Sequence, residues 1–218
     1  MPYVRRPLLY SVLFLGLVGF LGLPLGHADV PLPAACQRDC VAPYGERLGA
    51  DSSGIPAYSN CSANCFVPQP NREQGTYTGI RWQCVEYARR WLLKNHGVVY
   101  GDVDVAADLW SKIDHVTRVT DQAVFPLTTH ANGNELPPKK GDLLIYTREY
   151  LGTGHVAVVT EVDLTHGTLA VAEQNFLNRR WPAGHARTIT LVTRDGRYWA
   201  LDAYLLGWKR PVLTSTKP

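Results

Sequence analysis

The clearest helical pattern in the chain begins at a cysteine. From Cys84, apolar or small residues recur three, four, seven and eight positions further on, at Tyr87, Ala88, Trp91 and Leu92. This spacing is the period of an amphipathic helix with one buried face. The pattern therefore predicts a helix whose first turn contains a thiol.

The polar residues of this segment predict where the helix ends and which side meets solvent. The period runs to about Asn95 and stops near Gly97, a residue type typical of helix C-termini. Arg89, Arg90 and Lys94 fall outside the apolar face. We therefore expect these three charges on the exposed sides of the helix.

A thiol in the first turn of a helix is in a position that favours its anion. Unpaired backbone N–H groups and the positive end of the helix dipole lower the thiol pKa there, which makes Cys84 a candidate nucleophile. Gln83, just before it, is a candidate donor to a developing oxyanion. Gly79 is predicted to break the preceding chain. The alternative is an inert core cysteine, since free cysteine is among the most buried residue types.

The other cysteines bear on this choice. Cys36, Cys40, Cys61 and Cys65 form two C-x-x-x-C pairs, and Cys84 stands alone. In an exported protein an even set predicts two disulfides, with three possible connectivities. A structural zinc held by four thiolates, or a redox-sensing role, are alternatives with the same spacing. The unpaired thiol is then the one expected to be kept free for chemistry.

The N-terminus predicts export. Arg5 and Arg6 precede an apolar run from Leu8 to Leu25, followed by small residues at the positions before a cleavage site after Ala28. An uncleaved membrane anchor is the alternative, and it would be the chain's one contact with a membrane. The formal net charge is +3, and we find no basic run with interleaved aromatic residues, so nucleic-acid binding is not expected.

The remaining chain has the length of a single domain with a sizeable core. We expect a signal peptide at 1–28, an N-terminal extension at 29–42, one catalytic domain at 43–210 and a C-terminal tail at 211–218. No cofactor and no metal ion are expected. The residue pattern along this domain predicts its fold class.

The pattern changes from loops and helices to strands along the chain. Glycine, proline and serine predict loops at 43–71, and prolines predict a surface connection at 125–140. A second short helix is expected at 105–112, with Leu109 and Trp110 facing the core. Valine-, isoleucine- and threonine-rich segments then predict strands at 142–147, 155–163, 168–176, 187–193, 197–201 and 205–209. The order indicates an α+β fold with N-terminal helices packed on an antiparallel sheet.

Folding two of these strands into a hairpin brings a histidine to an acid. Pairing 155–163 with 168–176 sets His155 opposite Glu173 or Asn175, at cross-strand distances of about 5 Å. Gly154, just before the histidine, indicates close backbone approach. A carboxylate there would orient the imidazole, as the third member of a catalytic triad does. The alternative is that Glu173 and Asn175 are solvated strand residues.

Several short motifs together resemble the CHAP superfamily of cysteine, histidine-dependent amidohydrolases/peptidases. Within it, the pattern is most similar to the amidase domain of glutathionylspermidine synthetase/amidase and trypanothione synthetase. The motifs are Gln83 to Trp91, Gly154 to Val159, Ala172 to Asn175 and Leu206 to Trp208, with Pro43 to Gly49 and Ala57 to Ser59 resembling the start of that domain.

The resemblance implies a papain-like fold and a role for each motif residue. Cys84 would be the nucleophile, His155 the general base and then acid, and Glu173 the orienting residue, with Asn175 next to them. Gln83 and the Cys84 backbone N–H would bind the oxyanion. Arg89 would hold a substrate carboxylate, or would be a solvated helix charge.

These features together predict an exported thiol amidase or peptidase. Its expected substrate is a peptide or peptidoglycan fragment, with cleavage of an amide bond in the stem peptide. The export signal and the four-cysteine segment differ from the cited amidase domains, and they favour a cell-wall substrate. The alternatives are a glutathionylspermidine-type amidase and a non-catalytic module that binds cell-wall peptides in the same cleft.

Overall fold

The computed structural model describes residues 31–213. The expected signal peptide, and the end of the expected tail from residue 214, lie outside this range. Within it, the structure contains no helix that combines the length and the apolar character needed to cross a bilayer.

Strands outnumber helices in the described part of the chain. Helix α1 spans Cys84–His96, and α2 is a single turn, Leu109–Lys112, that continues a 3-10 turn at Ala106–Asp108. The strands are β1 Arg47–Ala50, β2 Pro56–Tyr58, β3 Pro70–Glu73, β4 Thr76–Ile80, β5 Val98–Val99, β6 His115–Arg118, β7 Val124–Ala131, β8 Leu143–Tyr146, β9 Val156–Asp163, β10 Thr168–Ala172, β11 Arg187–Arg194, β12 Arg197–Ala200 and β13 Leu205–Pro211.

The largest sheet has the strand order β12-β11-β10-β9-β8-β13-β7-β6-β5 among the described residues. Its neighbouring strands pair antiparallel. Strands β1 and β2, and strands β3 and β4, form two separate antiparallel pairs. The α+β class fits this layout, but the expected set of N-terminal helices does not. Between residue 31 and α1, the one helical element is a 3-10 turn at Ala34–Cys36.

Helix α1 contacts β4, β5 and β9. Tyr87, Ala88, Trp91 and Leu92 are buried in the main core, as the spacing predicts. The helix ends at Gly97, which has a φ of 67° and donates its N–H to the Leu93 carbonyl at 2.9 Å. The predicted C-terminal stop is therefore confirmed.

The prediction that Arg89 and Arg90 face solvent is wrong. Both are buried, and Arg90 forms an ion pair with Glu86, one turn earlier on α1, at 2.7 Å. Burial of a charge is tolerated when it is paired and hydrogen-bonded. Helix α1 is thus covered by protein on more sides than its apolar stripe alone indicates.

Gly79 lies inside β4 and does not break the chain, contrary to the prediction. Its φ is +139°, and a Cβ at this position would come within 2.9 Å of the Glu86 Cα. The absence of a side chain therefore allows β4 to lie directly against the first turn of α1.

Two predicted segment boundaries also change. The expected surface connection at 125–140 begins as strand β7, because Phe125 and Leu127 alternate with exposed residues and place one face in the core. This alternation outweighs the tendency of Pro126 to favour a loop, and Pro126 pairs with His115 of β6. The strand expected at 168–176 ends early, at Ala172.

Two disulfides join the N-terminal segment to the loop before β3. Cys36 pairs with Cys65, and Cys40 pairs with Cys61, so that these four sulfurs are not arranged as zinc ligands. The bridges pack with Val67 in a small core of their own. The region predicted as loops at 43–71 holds the short strands β1 and β2 beside these bridges.

Removal of either bridge is expected to lower the free energy of unfolding. The bridges close loops with sequence separations of 29 and 21 residues. A bridge across a loop of this size lowers the conformational entropy of the unfolded chain and thereby stabilises the fold by about 3 kcal/mol. Urea unfolding of the Cys36→Ala/Cys65→Ala and Cys40→Ala/Cys61→Ala proteins measures this loss. An unchanged midpoint and slope in both proteins would show that the bridges do not stabilise the fold.

Candidate active site

Cys84 and His155 meet at the wall of a cavity of about 560 Å³. Cys84 is the first residue of α1 and is 8% exposed, while His155 immediately precedes β9 and is buried. The imidazole and the backbone N–H groups of Val85 and Val156 lie close enough to the thiol to lower its pKa. A helix start and a strand start thus supply the two reactive groups.

Glu173 lies on the other side of His155 from the thiol and is the third side chain of this group. Its Oε2 lies 2.8 Å from the His155 Nε2, and both side chains are buried. Because Nε2 is occupied by the acid, Nδ1 is the ring nitrogen left to face Cys84. The predicted pairing occurs in the sheet, where Ala172 pairs with Val158, and Glu173 follows directly after β10. The structure therefore brings together the three residues that the sequence selected.

Arg187 is a member of this group that the sequence analysis missed. Its Nε donates to the Glu173 Oε1 at 2.6 Å, and its Nη1 donates to the Asp202 Oδ2 at 2.7 Å. The Tyr146 hydroxyl also donates to Asp202, at 2.7 Å. Arg187 opens strand β11, where a sequence pattern shows only an alternating surface charge.

These contacts favour a charged form of all three central residues. Burial raises the pKa of the Cys84 thiol, but the His155 charge, the imidazole hydrogen bond and the two backbone N–H groups outweigh it and lower that pKa. Burial lowers the pKa of His155, but the thiolate and Glu173 raise it to about 9. Burial also raises the pKa of Glu173, and the bonds from His155 and Arg187 lower it overall. The geometry is that of a thiolate–imidazolium pair with a carboxylate behind it.

Gly154, just before His155, lies where the backbone comes very close to two neighbouring segments. Its φ is +72°, and a Cβ there would lie 2.6 Å from the Tyr146 carbonyl oxygen and 2.8 Å from the Ala107 Cβ. The close backbone approach predicted at this glycine is confirmed. The His155 ring also packs against Tyr146, Tyr150 and Phe176, with centroid distances of 5.2 to 5.9 Å.

Gln83 and Asn175 form an amide pair beside the thiol. The Asn175 Nδ2 donates to the Gln83 Oε1 at 2.8 Å, and both residues line the cavity. The Gln83 amide nitrogen therefore points the other way, where it donates to the Asn60 Oδ1 at 3.3 Å. It keeps a second N–H for a ligand in the cavity.

Arg89 has neither of the roles considered for it. It is 2% exposed and is not among the residues that line the cavity, so it is neither a solvated charge nor placed to hold a substrate there. Its guanidinium donates to the Thr78 carbonyl at 3.2 Å, the Gly101 carbonyl at 2.7 Å and the Asp102 carboxylate at 3.0 Å. These bonds tie α1 to the segment that forms one wall of the cavity.

Another part of the cavity lining comes from the disulfide-bonded loop. Ala63, Cys65 and Phe66 line the cavity from that loop, while Asp102 and Asp104 line it from the segment between β5 and α2. The side chain of Phe66 is exposed. The cavity is therefore bounded on one side by residues that the Cys36–Cys65 bridge holds in place.

Cys84 is expected to react with iodoacetamide at pH 6 much faster than an ordinary thiol, because its pKa is lowered and its thiolate persists. As the pH rises through about 9, His155 loses its proton while Cys84 stays a thiolate. Alkylation should therefore persist above pH 9, whereas any reaction that needs the imidazolium as an acid should decline.

The measurement is the alkylation rate from pH 5 to 10, with His155→Gln as the comparison. In that variant the rate should fall about tenfold for each pH unit below the ordinary thiol pKa. Identical profiles for the two proteins would contradict the ion pair.

Comparison with known proteins points to one family. Residues 75–175 match the sequence profile of the CHAP domain. The chain is 34% identical over 184 residues to the bifunctional glutathionylspermidine synthetase/amidase of Escherichia coli (strain K12), covering 77% of this chain and 29% of the relative. It is 31% identical over 172 residues to the trypanothione synthetase of Crithidia fasciculata, covering 78% of this chain and 26% of the relative.

A third relative is the glutathionylspermidine synthase of Crithidia fasciculata, 28% identical over 189 residues. The chain spans less than a third of the length of these curated relatives. The matched range includes Cys84, His155 and Glu173, the three residues that the structure brings together. Residues 75–175 of this chain are therefore a CHAP domain.

Proposed function

We propose that this chain is an exported cysteine amidase or peptidase that hydrolyses an amide bond through a thiol acyl-enzyme. The observation that carries the proposal is the pairing of Cys84 with His155 at the wall of the cavity, with Glu173 hydrogen-bonded to the far side of the imidazole. The CHAP profile and a relative named as an amidase support an amidohydrolase. The papain-like arrangement and the domain bounds at 43–210 are part of this proposal.

The reaction follows from the charges of the pair. The Cys84 thiolate attacks the carbonyl carbon, and the oxygen takes up negative charge, stabilised by the Gln83 amide and the Cys84 backbone N–H. His155 then gives its proton to the nitrogen as the C–N bond breaks, and the amine leaves. His155, now neutral, takes a proton from water, whose oxygen attacks the thioester and releases the acid and the thiolate.

Glu173 and Arg187 support these steps without touching the substrate. Glu173 fixes the orientation of the imidazole and stabilises its charged form. Arg187 bonds to both Glu173 and Asp202, so that the acid keeps its charge in a buried position.

The compartment and the relatives favour different substrates. Two disulfides are typical of an oxidising compartment, and with the expected signal peptide they favour export and a peptidoglycan stem peptide. The name of the Escherichia coli relative favours glutathionylspermidine as the alternative substrate. A binding module without catalysis is a third candidate, but it would not need the charged pair at Cys84 and His155.

Mass spectrometry separates these candidates. The mature protein is incubated with muropeptides from digested peptidoglycan and, separately, with glutathionylspermidine, and Cys84→Ala serves as the blank. Release of a stem-peptide fragment by the wild type alone would support the cell-wall function. Cleavage of glutathionylspermidine alone would support the alternative, and cleavage of neither would contradict the enzyme and favour the binding module. The N-terminal mass of protein isolated from the producing cells tests cleavage after Ala28.

A further inference from the structure

Asn60 joins the disulfide-bonded loop to the amides beside the thiol. Its side chain is fully buried, although asparagine is mostly an exposed residue type. It lies two residues after β2 and directly precedes Cys61, the partner of Cys40. Buried side-chain amides are normally hydrogen-bonded, and both ends of this amide have partners.

One end of the Asn60 amide holds the disulfide loop. Its Nδ2 donates to the Cys65 carbonyl oxygen at 2.6 Å and to the Ser62 carbonyl oxygen at 3.3 Å. The Asn60 backbone N–H donates to the Asn178 Oδ1 at 2.7 Å. Both disulfides bracket this loop, through Cys61 and Cys65, so the amide is anchored to covalently fixed backbone.

The other end of the amide holds the residues beside the thiol. The Asn60 Oδ1 accepts from the Gln83 Nε2 at 3.3 Å and from the Trp82 backbone N–H at 3.5 Å. Its Nδ2 also lies 3.3 Å from the Asn175 Oδ1. Asn175 in turn donates to the Gln83 Oε1, so both ends of the Gln83 amide are fixed by these two asparagines.

This network decides which way the Gln83 amide faces. A glutamine side chain has one accepting and one donating end, and only the donating end can bind an oxyanion. Asn175 bonds to the accepting end and Asn60 to the donating end, which keeps one N–H directed for use in the cavity. Without Asn60, the Gln83 amide loses the acceptor of its N–H, and Asn175 loses the donor that orients its own amide. Both terminal torsions are then broad and roughly two-fold, so the Gln83 donor spends part of its time turned away.

We propose that Asn60 is a positioning residue for the oxyanion-binding amide of Gln83, and that the two disulfides hold it in that position. The inference rests on the proposed amide hydrolysis, because an oxyanion forms only in such a reaction. Asn60 touches neither the thiol nor the imidazole through a hydrogen bond that the structure shows. It acts through Gln83, which lines the cavity.

The test is a double-mutant cycle on hydrolysis of whichever probe the wild type cleaves, muropeptides or glutathionylspermidine. Asn60→Ala should lower kcat about 10- to 100-fold and leave KM within about twofold, since loss of a residue that orients a catalytic group has effects of that size. In a Gln83→Ala background, the same change should lower kcat by less than about threefold. A full loss in both backgrounds would overturn the proposal, because Asn60 would then act independently of Gln83.

Alkylation and a matched asparagine separate positioning from general damage. Iodoacetamide displacement forms no oxyanion, so the alkylation rate of Cys84 in Asn60→Ala should equal that of the wild type within about twofold. Asn132 is the control, because its amide also bonds to two backbone groups, the N–H and the carbonyl of Ala200. Asn132 is far from Cys84 in sequence and does not line the cavity. Asn132→Ala should leave kcat unchanged. A slowed alkylation in Asn60→Ala would overturn the proposal by showing damage to the thiol pair itself.

The outcomes distinguish this inference from the proposed function. If the wild type cleaves neither probe, the proposed function fails and this inference fails with it. If the wild type cleaves a probe and Asn60→Ala retains full kcat, only this inference fails. If Asn60→Ala does not fold, Asn60→Ser, which replaces the amide with a small hydroxyl, is measured in the same cycle and against the same limits.

Discussion

Cys84→Ala is expected to abolish amide hydrolysis, lowering kcat by at least about 10⁴-fold, because removal of the nucleophile leaves only binding and oxyanion stabilisation. Cys84→Ser should be nearly as inactive. A serine hydroxyl has a much higher pKa than a thiol, so it cannot form the anion that His155 stabilises here. Both changes remove or replace one atom at the start of α1, and we expect the melting temperature to change by only a few degrees.

The measurement is steady-state hydrolysis of the probe that the wild type cleaves, with the melting temperature recorded for each protein. One equivalent of iodoacetamide should inactivate the wild type at pH 6 and should leave the Cys84→Ala protein unmodified, since the other four cysteines are paired. Activity above about 1% of wild type in a folded Cys84→Ala protein would rule out the acyl-enzyme.

Glu86→Ala is expected to lower the free energy of unfolding by about 3–5 kcal/mol, the cost typical of leaving a buried charge without its partner. Glu86 is completely buried. Its carboxylate accepts hydrogen bonds from four residues. The donors are Arg90 at 2.7 Å, Asn71 at 2.8 Å, Gln174 at 3.0 Å and Thr78 at 3.0 Å. Removal of this acid leaves the buried Arg90 guanidinium and three amide or hydroxyl groups short of an acceptor.

A partly exposed ion pair between the same helix and β3 provides the control. Lys94 bonds to Glu73 at 3.0 Å, and both side chains are partly open to solvent. Glu73→Ala should therefore cost less than about 1 kcal/mol. Urea unfolding of both variants at one pH gives the comparison. Since a whole domain is typically stable by about 5–15 kcal/mol, Glu86→Ala should shift the midpoint strongly. Equal losses in the two variants would contradict a structural role for the buried pair.

The parts of the site that depend on local sequence could be predicted. The helix period predicts that Cys84 lies in the first turn of α1. That position places the thiol at the positive end of the helix dipole. The His155–Glu173 contact followed from the folding of one hairpin, because antiparallel pairing fixes which residues are neighbours. The pairing of Ala172 with Val158 lies within the predicted register.

The parts of the site that depend on residues distant in sequence could not be predicted. Arg89 and Arg90 looked like surface charges because their acceptors lie on other elements, such as Gly101 and Pro56. Arg187 and Asn60 lie far from their partners in sequence, and a lone arginine at a strand start or an asparagine in a loop gives no local signal. Strand β7 is hidden in the sequence by Pro126, a residue type that favours loops, whereas the burial of its neighbours Phe125 and Leu127 determines the structure.

The pairing of Cys84 with His155 also reverses the usual meaning of thiol labelling. In most proteins a buried cysteine is protected while the chain is folded and reacts when it opens. Here the thiol owes its low pKa to an imidazole 71 positions away in the sequence, and that proximity exists only in the folded chain. Below neutral pH the native molecules should therefore label fast and the denatured ones slowly. The amplitude of the fast phase then counts the fraction of correctly assembled sites, which gives this protein an internal reporter of its own folding.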